Sequence, residues 1–98
     1  MTKKGELTRD EIILCLDLYF QYRDDKLTGD AAIKALATEM DREVGPVDVV
    51  VHAFAWDDPQ RPWRQTTLGS EEARRLWREL KDDRAALKKQ AAAIRKKA

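Results

Sequence analysis

The chain is poor in the residues that build covalent frameworks and metal centres. Its single cysteine, Cys15, rules out a disulfide framework, and no Cys-x-x-Cys pair exists to hold structural zinc. Cys15 lies among apolar residues, so a buried free thiol is expected. Its single histidine, His52, excludes any centre that needs several imidazoles around one ion. A Ser or Cys hydrolase would have only that one imidazole as its base, and pairing it with Cys15 would set catalysis between two predominantly apolar segments. No stretch approaches the ~18 apolar residues of a membrane span. The opening M-T-K-K-G-E has no apolar signal region, and a cytoplasmic protein without membrane contact is the expectation.

What is present fits one small domain: 98 residues, 43% hydrophobic and 38% charged, a modest core under a heavily charged surface. The net charge of +1 conceals a polarity. Residues 1–58 hold 7 Lys+Arg against 13 Asp+Glu, a net of −6, whereas residues 59–98 hold 12 against 5, a net of +7. The second half can face a polyanion. The alternative is a solvated face whose charges pair with one another along the helices. Adjacent acids such as Asp24-Asp25, Asp57-Asp58 and Asp82-Asp83 read as caps and solvated charge rather than as a catalytic pair.

The pattern predicts an all-α fold, a small single domain of about four helices with a long basic C-terminal helix. Thr8 and Glu11 stand at capping-box spacing before a helix running to Tyr22. That helix is apolar on more than one side, through Ile12, Ile13, Cys15, Leu16, Leu18, Tyr19, Phe20 and Tyr22, which suits a central position. Asp30 can cap a second helix over 31–40, with Ile33, Leu36, Ala37 and Met40 inward. Gly45-Pro46 opens a third segment, V-D-V-V-V-H-A-F-A-W, whose Val47, Val50, Val51 and Phe54 fit a helical face. Alternation and β-branching in the same stretch also fit a strand, but no second strand is visible to pair with it. Residues 57–69, D-D-P-Q-R-P-W-R-Q-T-T-L-G, carry two prolines and read as a basic, aromatic loop. Ser70 then caps a final helix with Glu71 and Glu72 in its first turn and Arg95, Lys96 and Lys97 in its last. At ~1.5 Å per residue that helix would extend roughly 40 Å, and its distal half is expected to project. Residues 1–80 are read as the helical domain and 81–98 as a basic extension.

Three blocks of the sequence are similar to the DNA-binding domain at the N-terminus of many HNH-type restriction endonucleases, several of which attack modified DNA. The first is T-R-D-E-I-I-L-C-L-D-L-Y, from Thr8. The second is Arg42, then Val47, Phe54 and Asp58-Pro59. The third is Gly69-Ser70 followed by Trp77. The blocks fall in the family's order and span residues 7–80. The chain departs from the pattern at Leu7, where a tryptophan is frequent, and at Val50 and Ala53, where a lysine and an asparagine are common. If those polar residues touch DNA in the family, the contacts here differ. The resemblance implies a module that reads duplex DNA, with a preference for 5-methylcytosine, and the shortage of histidine argues against a nuclease within this chain.

The candidate DNA-binding residues are Arg42, His52, Trp56, Arg61, Trp63, Arg64, Gln65 and Thr67. Arg61 and Arg64 can clamp phosphates or read guanine edges, Gln65 can face adenine, and Thr66 and Thr67 can bond phosphates or touch a thymine methyl. Trp63 either anchors the loop from beneath or lays its face on a base or a 5-methyl group, and Trp56 has the same two readings. Trp77, at helical spacing with Ala73 and Leu80, reads as core. Arg42 is either a DNA contact or a surface salt bridge with Glu39 or Glu43. His52 is either a half-buried satisfied side chain or a DNA contact. Burying one methyl is worth about 0.8 kcal/mol, close to a fourfold preference. Strong methyl discrimination therefore requires two methyls, a tight apolar pocket or an extracted base. Arg84, Lys88, Lys89, Arg95, Lys96 and Lys97 would add salt-sensitive attraction. No catalytic residue, metal or cofactor is assigned. The expectation is a non-catalytic, nucleoid-associated protein whose partner is methylated double-stranded DNA. A second class stays open: Ala73, Leu80, Leu87 and Ile94 recur every seven residues, the pattern of a helical interaction module or a homodimer through the C-terminal helix.

Overall fold

The computed structural model describes residues 6–25, 29–56, 58–59 and 71–97. Among them are five helices: α1 (Arg9–Asp25), α2 (Gly29–Glu39), α3 (Val44–Ala53) continued by a 3₁₀ turn (Phe54–Trp56), α4 (Glu71–Leu80) and α5 (Arg84–Lys97). No strand is present among the described residues, so the valine-rich third segment is helical. Its Val47, Val51 and Phe54 turn inward at helical spacing, and Pro46 sits in the first turn, where a missing amide proton leaves no hydrogen bond unmade. The second helix begins at Gly29 rather than Ala31, which places Asp30 inside its first turn instead of at its cap.

α1 is the axis of the domain. It packs against α2, α3, α4 and α5, and for that reason every residue from Glu11 to Phe20 is buried, well beyond a one-sided apolar stripe. The capping box forms: the Thr8 amide donates to Glu11 Oε1 at 2.8 Å and the Glu11 amide to Thr8 Oγ1 at 3.2 Å. α2 closes with a Schellman turn. Asp41 adopts a left-handed φ of 56°, its amide donates to the Thr38 carbonyl at 3.1 Å, and the Arg42 amide reaches back to Ala37 at 2.8 Å. That reversal aims the chain toward the start of α1.

The expected long final helix is two helices. α4 stops at Leu80, and α5 starts anew at Arg84, with the Asp83 carboxylate accepting from the Ala86 amide at 3.0 Å. Aspartate disfavours a helix interior and favours an N-cap, because its short carboxylate competes for backbone donors. Asp82-Asp83 therefore ends one helix and begins the next. α5 folds back onto α1 instead of projecting, and Leu87 and Ala91 join the same core as Ile13, Leu16 and Trp77. Residues 81–97 are thus part of the domain rather than an extension of it. The seven-residue seam is used internally: Ala73, Leu80 and Leu87 are buried and Ile94 packs against the core, which removes the apolar surface a helical dimer would need.

A candidate nucleic-acid interface

Five of the eight sequence-derived site residues fall on a single chain segment. Arg61, Trp63, Arg64, Gln65 and Thr67 lie outside the described residues. Both approaches to that segment are fixed on α1. On the near side, Trp56 closes the 3₁₀ turn, and Asp58 is buried at 2% exposure. The Tyr19 hydroxyl donates to Asp58 Oδ2, and Arg23 Nη1 donates to the same oxygen at 2.9 Å. A buried carboxylate is tolerated when it is paired and hydrogen-bonded, and here both partners come from α1. On the far side, Trp77 of α4 stacks on Phe20 with ring centroids 5.5 Å apart and meets Tyr19 edge-on at 6.1 Å. Trp77 is core, as its spacing with Ala73 and Leu80 requires.

Arg42 is placed differently from either sequence reading. It is buried at 7% exposure, and its partner is Glu11 rather than Glu39 or Glu43. Nε donates to Glu11 Oε2 at 2.9 Å and Nη2 to Oε1 at 2.7 Å, with a further bond from Nη2 to the Glu6 carbonyl at 3.2 Å. The guanidinium fork beside Glu11 holds that carboxyl at about 2, well below its ordinary 4.5, against the opposing effect of burial. Presenting Arg42 to a phosphate would strand Glu11 under the surface, so Arg42 ties the turn after α2 to the start of α1. His52 takes the half-buried position, with Nε2 3.2 Å from Asp48 Oδ1 one helical turn earlier.

The described basic side chains of α5 divide into two sets. Arg84 and Arg95 are drawn into the fold. Arg84 sits 4.1 Å over the Phe20 ring and donates to Asp24. Hydrogen bonds from Arg23 and then Arg84 hold the Asp24 carboxyl below its ordinary value. Arg95 donates to Glu39 at 3.0 Å and lies 3.5 Å from the buried Asp17. Lys88, Lys89 and Lys96 face outward.

α4 supplies a further row that the sequence reading did not single out. Ala73, Leu76, Trp77 and Leu80 are buried, and this spacing turns Arg74, Arg75 and Arg78 away from the core, with Arg75 and Arg78 exposed and Arg75 3.5 Å from Glu72. Two of the acids on the same helix are engaged from α1, since Arg9 donates to Glu72 and to Glu79 at 3.1 Å each. The inward spacing was readable beforehand, and the outward arginines follow from it.

Burial pushes the Cys15 thiol up to about 12, far from the thiolate that nucleophilic attack requires. His52 is occupied with Asp48. Among the described residues no group of three His, Cys, Asp or Glu side chains is placed to hold a metal ion, and no helix is long and apolar enough to cross a membrane. No protein-family model matches the chain, nor does any curated protein or solved structure.

Proposed function

We propose that this chain is a non-catalytic DNA-binding protein that reads duplex DNA with a preference for 5-methylcytosine. The observation that carries the proposal is the arginine row of α4, which begins seven residues after R-P-W-R-Q-T-T in the chain. In this reading Arg74, Arg75 and Arg78 clamp phosphates, with Lys88 and Lys89 adding charge, while Arg61, Arg64, Gln65, Thr67 and Trp63 meet the bases. Arg42 acts indirectly, by holding α1 and the α2–α3 turn together. The methyl preference rests on the resemblance to modification-dependent endonucleases, and the non-catalytic reading is supported by a single histidine, too few for an HNH centre built on several imidazoles.

Phosphate contacts make binding fall with salt. A protein neutralising about four phosphates loses roughly 100-fold in affinity over a fourfold rise in salt. Replacing Arg74, Arg75 and Arg78 together by glutamine lowers the slope of log affinity against log salt by about 2 to 3 and weakens all duplexes alike. Replacing Arg61 and Arg64 by alanine weakens methylated DNA most. Wild-type affinity and slope in the triple variant would remove α4 from the interface. The alternative of a homodimer through the C-terminal helix loses its support, because the apolar seam it needs is spent in the domain's own core.

A further inference from the structure

A second surface has the opposite sign. The start of α1, one side of α3 and the first turn of α4 enclose a cleft of about 660 Å³. Its walls are apolar, formed by Leu7, Pro46, Val49 and Val50 over Ile12, and its rim carries the carboxylates of Glu6, Glu71 and Glu72. Val49 is 54% exposed and Val44, at the start of the same helix, 40%; they are the exposed large apolar side chains among the described residues. Glu72 is shared with Arg9 and Arg75, whereas Glu6 and Glu71 have no ion pair among the described residues. Branched apolar side chains held open to water under a rim of carboxylates repel a phosphate backbone and suit a cationic, apolar guest.

We infer that this cleft docks a partner protein through a segment in which one or two large apolar side chains are flanked by lysine or arginine. The apolar side chain fills the space between Leu7, Val49 and Val50, and the flanking cations meet Glu6 and Glu71. The inference does not rest on DNA reading, because it needs no base or phosphate. A chain with both surfaces links a DNA site to a second protein.

The test displays a library of random short peptides against the intact chain, with the Val49→Asp variant used to discard peptides bound elsewhere. Enriched peptides carry the basic-apolar pattern. One of them, labelled and followed by anisotropy, weakens by about tenfold or more with Val49→Asp and with Glu71→Lys. Both positions are exposed, and thermal melts of both variants match the wild type. The methyl resonances of Leu7, Val49 and Val50 move on peptide addition, while DNA affinity is unchanged by Val49→Asp. No enrichment over the variant, enrichment of peptides without basic residues, or binding indifferent to both substitutions would overturn the inference. So would duplex DNA that moves the same methyl resonances, or a wild-type chain that self-associates and becomes monomeric with Val49→Asp, since the occupant would then be DNA or a second copy.

Discussion

Replacing Glu11 by glutamine removes a buried charge from the first turn of α1 while keeping the shape of the side chain. Glu11 does two tasks at once: it closes the capping box with Thr8 and receives the Arg42 fork. Glutamine keeps one oxygen, which can still accept from the Thr8 amide and Arg42 Nη2, but its NH2 group replaces the oxygen that accepts from Arg42 Nε, and the guanidinium is left without a counter-charge under the surface. The size of the loss follows from the carboxyl itself, which ionises at about 2 in the fold against an ordinary 4.5. At about 1.4 kcal/mol per pKa unit, that displacement sets a ceiling near 3.5 kcal/mol. Screening near the surface brings the expected loss to about 2 kcal/mol, a large share of the 5–15 kcal/mol that holds a typical small domain together. The pH dependence has a definite sign. Between about 4.5 and about 2 the unfolded carboxyl is protonated while the folded one is not, so the contribution is complete above that window and disappears as pH falls through it. Urea unfolding at neutral pH and in steps down to pH 3 measures both effects. Glu11→Gln should unfold at lower urea at pH 7 and should lose the part of the acid sensitivity that belongs to this group. Replacing Glu11 and Arg42 together by leucine and methionine should recover most of the loss. An unchanged midpoint at pH 7, or an acid profile identical to wild type, would refute the reasoning.

Tyr19→Phe removes a hydroxyl donor from the buried Asp58 and should cost about 1–2 kcal/mol in urea unfolding, with Arg23 retaining the carboxylate. Asp41→Gly should raise stability by about 0.5–1 kcal/mol, because glycine occupies the left-handed position without strain; a destabilised variant would mean that the Asp41 side chain matters in the turn. Leu87→Asp places a carboxylate in the core beneath α5 and should abolish the helical circular dichroism of a monomer. If that variant stayed folded and only dissociated from a dimer in sedimentation, the internal use of the seven-residue seam would be wrong.

Local signals in the sequence carried through, and long-range ones did not. Thr8 and Glu11 are three residues apart, and their capping box was readable because both partners lie within one helical turn. The inward faces of α2, α3 and α4 were readable for the same reason. Glu11 and Arg42 are 31 residues apart, and nothing in either neighbourhood announces the other, whereas Glu39 and Glu43 lie close along the chain. The break at Asp82-Asp83 was a cap signal overridden by the continuing apolar repeat, although Leu87 and Ile94 suit helix packing within the domain as well as between two chains. The α4 arginines are implied by the inward spacing of Ala73, Leu76, Trp77 and Leu80, but an outward basic face on a helix reads equally as solvated charge. Asp58, read with Asp57 as solvated charge or a cap, is instead a buried acceptor for Tyr19 and Arg23. Only the fold brings α1 beneath it.

The most direct measurement is the anisotropy of labelled, sequence-matched duplexes titrated with the purified chain at about 50 and 200 mM salt. The duplexes are unmodified, methylated on one cytosine, or methylated on both strands. Tighter binding of methylated DNA that persists at the higher salt is the expected result, with a ratio of about fourfold per buried methyl. Equal binding that vanishes with salt would reduce the protein to a basic surface, and no binding at either salt would contradict DNA reading altogether.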